Sequence, residues 1–179
     1  MPGMVWTSLL NSPQATAAGT ALASSTTLTD ISVAPQFTLP ANFLQAGSAL
    51  KFSAHGQFST TGTPTLLIGV YYGGVAGTAL AATVATTTGS GVTTVPWRLE
   101  LDTTIRTTGT SGTAMSNGLW YLGTSVTAAT FAPIPQVAPT TVTVDTTAAK
   151  TLTIGAQWGT SSASNTIQLH GFRIYSDGL

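Results

Sequence analysis

Charge is what this sequence has least of. Only 6% of its 179 residues are Asp, Glu, Lys or Arg, five of each sign, against about a quarter in an average soluble protein. Nucleic acid and anionic lipid are held by clustered cations, and five scattered Lys and Arg residues cannot form such a cluster. Neither partner is expected. Cysteine is absent, which excludes disulfides, cysteine-ligated zinc and a thiol nucleophile together and leaves the redox compartment open. No uninterrupted apolar run approaches the ~20 residues that a membrane-crossing helix needs. The longest, Leu66 to Tyr72, has the length of a strand. Met1 to Leu10 carries neither the cationic start nor the apolar stretch of a secretory signal.

Helix formers such as Glu, Lys, Arg and Gln are scarce, while threonine makes up about a fifth of the chain and glycine supplies 19 residues. That bias suits pleated strands joined by tight turns. With 42% apolar residues the chain is no candidate for disorder, and its length suffices for one domain with a sizeable core. The period is two wherever it can be read. In Leu50 to Phe58 and in Trp97 to Asp102 apolar and polar residues alternate, so one face packs inward and the other meets water. Leu152 to Trp158 repeats the pattern. In Thr166 to Tyr175 the apolar phase switches between Leu169 and Phe172, which predicts a β-bulge or bend at Gly171.

Pro64 to Tyr72 breaks the alternation by being apolar on both faces. A strand of that kind must be covered twice, and in a two-layer sandwich the outer cover is either a neighbouring subunit or an arm of the same chain. The interface expected on this ground comprises Leu66, Ile68, Val70, Tyr71 and Tyr72, with Trp6 as a further anchor from the N-terminal segment. Residues 1–33, rich in Ala, Ser and Thr, read as an extended N-terminal arm that docks on its own or a neighbouring subunit, and 34–179 as the β-sandwich domain. Turn signals fall at Thr61 to Pro64, Tyr72 to Gly74, Gly89 to Gly91, Ser116 to Gly118 and Ser176 to Gly178. The proline-bearing stretch Phe131 to Thr141 reads as a surface loop.

Chemistry has few places to reside. General acid–base catalysis needs titratable groups gathered in a cleft, and five carboxylates and two histidines are the whole supply. Glu100 and Asp102 share a strand face, as calcium ligands or paired carboxylates do, but further oxygen ligands are not evident nearby. His55 and His170 would stand on one polar face if the first and last long strands are neighbours, although two imidazoles with no carboxylate or Cys partner make a weak metal signal. Gly73 to Gly77 lacks the lysine and helix of a phosphate loop, and no Gly-x-Ser-x-Gly elbow occurs. Trp6, Trp120, Tyr121 and Tyr175 are candidate sugar-stacking residues if exposed. No catalytic residue, cofactor or metal site is assigned, and the protein is expected not to be an enzyme.

Thr61 to Leu66, Gly69 to Gly74, Pro96 to Leu99, Gly109 to Gly112 and Gln157 to Leu169 together resemble a small virion protein of tailed phages of actinobacteria. The resemblance runs from about Ala34 to the C-terminus. It implies an all-β, jelly-roll-like antiparallel β-sandwich in the virion: a homotrimeric capsid decoration or minor capsid protein, assembled in the host cytoplasm. Its partners would be itself and the major capsid protein lattice. Related sandwiches also occupy tail and receptor-binding positions, so a glycan-binding module at the tail tip or on a fibre is the alternative.

Overall fold

The structure, a computed structural model, describes residues 7–11, 18–32 and 36–177, and among them there is no helix. Fourteen strands follow in chain order: β1 (Thr7–Asn11), β2 (Leu22–Ala23), β3 (Thr29–Asp30), β4 (Phe37–Leu39), β5 (Ala49–Ser59), β6 (Thr65–Tyr72), β7 (Thr78–Ala82), β8 (Thr86–Thr87), β9 (Val95–Thr107), β10 (Gly112–Gly123), β11 (Ala129–Ile134), β12 (Val142–Val144), β13 (Lys150–Trp158) and β14 (Thr166–Asp177). They form two antiparallel sheets packed as a β-sandwich. The eight-stranded sheet runs β1-β14-β5-β9-β10-β11, with β2 also on β14 and β12 also on β10. The six-stranded sheet runs β3-β13-β6-β7, with β4 also on β13 and β8 also on β6. The chain crosses between the layers repeatedly, from β5 to β6, from β8 to β9 and on both sides of β13.

Period-two patterning sets the layers. Leu50, Phe52, Ala54 and Phe58 of β5 and Trp97, Leu99, Leu101 and Ile105 of β9 are buried, whereas Lys51, His55, Arg98, Glu100 and Asp102 face outward. Across the sandwich they meet Leu66, Ile68, Val70, Leu152, Ile154 and Trp158 in a single core. Phe58 and Trp158 join the layers, their ring centroids 6.5 Å apart. Each fully buried side chain of this size contributes about 1.5–3 kcal/mol. Inside the core Thr103 and Ser116, direct cross-strand partners, hydrogen-bond at 2.8 Å, so neither hydroxyl is left unpaired.

The bulge forms as the phase switch requires. Leu169 pairs with Gly56 and Gly171 with His55, leaving His170 as the extra residue. Ile167 and Leu169 before it and Phe172 and Ile174 after it all point into the core. Gly56 is needed beside it: a Cβ there would sit 1.9 Å from the Gln168 carbonyl oxygen, which accepts a hydrogen bond from the Trp97 indole N–H at 3.2 Å.

Three expectations are corrected. Leu66, Ile68 and Val70 are fully buried, and Tyr71 and Tyr72 are 5% exposed, so these five side chains are covered by their own chain. Its inner face meets the large sheet, and on its outer face the Tyr71 ring, Val75 and Leu28 close over Gly155 of β13. The Tyr72 hydroxyl donates to the Asp145 carbonyl at 2.9 Å, and burial pushes its pKa up to about 12. Trp6 lies outside the described residues. Where described, residues 1–33 dock on their own sandwich: β1 and β2 pair with β14, and β3 pairs with β13. The backbone N–H of Gly19 donates to Leu169 and that of Trp158 to Ser25. Ser116 to Gly118 lies within β10 rather than in a turn, since Gly118 lets β9 approach so closely that a Cβ would meet the Glu100 carbonyl oxygen at 2.0 Å. Phe131 to Ile134 belongs to edge strand β11, where Pro133 is tolerated, and only the residues after it form the loop.

Two outcomes test this packing. Trp97→Ala is expected to lower the unfolding free energy by about 3–5 kcal/mol in a denaturant titration. Gly56→Ala, which forces β5 and β14 apart without removing any atom, is expected to cost about 1–3 kcal/mol.

Candidate functional site

Seven of the ten charged residues lie on the outer face of the large sheet: Lys51, Arg98, Glu100, Asp102, Arg106, Arg173 and Asp177. Alternation alone puts them there, because every inward position on β5, β9 and β14 is taken by the core. Cross-strand registers then arrange the face in rows. One row reads Gly171, His55, Arg98, Tyr121, Phe131, and the next reads Arg173, Ser53, Glu100, Leu119, Pro133. A third runs Tyr175, Lys51, Asp102, Asn117.

At the β14 end of the first row the two histidines come together. The exposed His55 ring lies over Gly171, where a Cβ would come within 2.4 Å of its Cε1. His170, extruded by the bulge, lines the same open depression of about 290 Å³ with Gly56, Gln57, Thr94 and Pro96. Partial burial against the sheet, reinforced by Arg98, Arg173 and His170, pushes the His55 pKa below its ordinary value of 6.5. The Nε2 atom of His170 is shielded from solvent and has no hydrogen-bond partner among the described residues. No group of three or more His, Asp or Glu among the described residues could hold a metal ion.

Two carboxylates of this face pair with cations. Glu100 pairs with Arg98 at 2.5 Å across exposed surface, and Asp177, its side chain 18% exposed, pairs with Lys51 at 2.8 Å. Asp102 stands opposite Lys51, and with Glu100 and Tyr175 it borders a depression of about 220 Å³. Asp30, whose carboxyl burial pushes upward, lies on the other sheet and is engaged by the Ser32 backbone N–H and the Gln36 side chain.

Of the candidate sugar-stacking residues, Trp120 is buried in the core, Tyr175 is half-buried, and Trp6 is outside the described residues. Tyr121 is half-buried and packs against Phe131, with centroids 5.6 Å apart. Phe131, 75% exposed, and its neighbour Leu119, 61% exposed, are the residues that the sequence reading missed. Assigning Phe131 to a loop hid that it shares a face with Tyr121. Comparison with protein-family profiles, with curated proteins and with solved structures found no match. Among the described residues no helix is long and apolar enough to cross a membrane.

The shifted histidine has a pH consequence. With its folded pKa below 6.5, His55 binds fewer protons in the folded than in the unfolded state. The resulting penalty is absent above pH 6.5 and grows as pH falls toward the folded pKa. Stability measured by denaturant titration is therefore expected to decline from pH 7 to 5, and His55→Gln to flatten that decline. An equal slope in the variant would remove His55 as its source.

Proposed function

We propose that this chain is a bacteriophage virion structural protein: a homotrimeric capsid decoration or minor capsid protein that binds the head lattice and reinforces the shell. The observation that carries the reading is the surface. A threonine-rich sandwich of zero formal net charge pairs Glu100 with Arg98 and Asp177 with Lys51 on its outer face, and among the described residues no group of three or more His, Asp or Glu could hold a metal ion. Such a body works through geometry and multiplicity. A trimer engaging three lattice sites gains from effective concentration, so weak single contacts suffice. Whatever binds only the assembled shell then stabilises it by mass action. The resemblance of Thr61 to Leu66, Gly69 to Gly74 and Gln157 to Leu169 to small virion proteins supports the same reading. In this role the protein sits on the capsid surface, with the major capsid protein as its partner and no nucleic acid or membrane contact.

One observation favours a second reading, a glycan-binding module of the tail. Tyr121 and Phe131 offer aromatic surface beside the Arg98–Glu100 pair, and saccharides stack on such surface while hydrogen-bonding to charged neighbours. Mixing the purified protein with phage heads lacking it and with isolated tails separates the two by electron microscopy. Density at three-fold or quasi-three-fold positions of the head is expected. Density confined to tails would overturn the decoration reading.

A further inference from the structure

The large hydrophobic side chains exposed among the described residues are Val84, Leu119, Val126, Phe131 and Val137, between 48% and 78% exposed. They are not scattered over the sandwich. Four belong to β10, β11, the turn between them and the loop after β11. Val84 lies directly after β7, where its backbone N–H donates to the Gln136 side chain from that loop at 2.9 Å. The opposite flank ends in the short strands β1 to β4.

We propose that a second copy of this chain seats on the β10–β11 flank, and that this contact builds the homo-oligomer. Three observations favour that occupant. Five large apolar side chains, each between 48% and 78% exposed, lie on this one flank, whereas on a monomer such side chains are ordinarily scattered singly. The flank also carries two complementary shapes. Leu119 and Phe131 form a ridge on the outer face of the large sheet. Between that sheet and β7 lies a groove of about 270 Å³, lined by Leu80, Ala81, Val84, Pro135, Val137 and Val142. Ridge and groove are different surfaces, so ridge-into-groove contact is heterologous, the kind that closes into a ring. Finally, the charges bordering the ridge, Arg98 and Glu100, already pair with each other, so a neutral copy covers them without stranding a charge.

A saccharide fits less well. In the depression lined by Tyr121 and Phe131 the charged side chains among the described residues are Arg98 and Glu100, and those two are engaged with each other. The inference rests on the homo-oligomeric part of the reading above and is independent of any place in a virion, so it is tested on the purified full-length chain. In sedimentation velocity the wild type is expected as an oligomer of the 18.1 kDa chain. Phe131→Asp and Leu119→Asp, both at exposed positions, should keep the wild-type circular dichroism and raise the dissociation constant about a hundred-fold. A monomeric wild type would overturn the proposal, as would two folded Asp variants that keep the wild-type mass. Glycan-array binding that Phe131→Asp abolishes in a monomeric protein would overturn it too and make the patch a saccharide site. Should an Asp variant misfold, the cysteine-free chain permits a second measurement. Phe131→Cys and Val137→Cys, mixed and oxidised, should form a disulfide-linked dimer in greater yield than either alone, and equal yields would count against the contact.

Discussion

The burial of two apolar sheet faces against each other is the interaction on which the rest of this molecule depends. The chain has no disulfide and few ion pairs, and surface pairs such as Arg98–Glu100 contribute little, about 0–1 kcal/mol each. Stability must come from the layer where Phe58, Trp97, Leu99, Ile154 and Trp158 interdigitate. Once those positions are committed inward, strand periodicity leaves no choice about where the charges go. They collect on the outer face of the large sheet because the inner face cannot hold them.

The bulge at His170 shows how this constraint shapes the surface. β14 carries apolar residues in two phases, and inserting one residue restores the second set to the core. The extra residue is thereby pushed out beside His55, and Gly56 and Gly171 make the space in which the strands and the imidazole fit. The histidine pair is thus a product of core packing. The downward shift of His55 is what partial burial beside Arg98, Arg173 and His170 produces.

Much of this could be read from residue order. β5, β9 and β14 alternate cleanly because one of their faces stays wet, and the phase switch at Gly171 is a local signal with one structural solution. What lies across the sheet could not be read. Tyr71 is apolar surface that demands a cover, yet only the fold reveals that Leu28 and Val75 of the same chain supply it. Ser116 to Gly118 has turn composition, but a neighbouring strand selects glycine there for close approach. Phe131 sits among prolines that suggest a loop, and pairing with Tyr121 at a sheet edge overrides that local preference. In each case a contact distant in sequence outweighed a local propensity.

Taken together, the sandwich encloses its own core and leaves one flank apolar. On the proposed reading a decoration protein needs an inert body, a surface on which copies meet, and a multivalent grip on a lattice, and we assign the first to the two layers and the second to the β10–β11 flank. The most direct measurement is a reconstruction of the intact virion at side-chain resolution. The account predicts this sandwich on the head shell in rings of copies, with Phe131 and Leu119 buried between neighbours. A sandwich found away from the head, or one whose Phe131 and Leu119 face open solvent in the assembled particle, would contradict it.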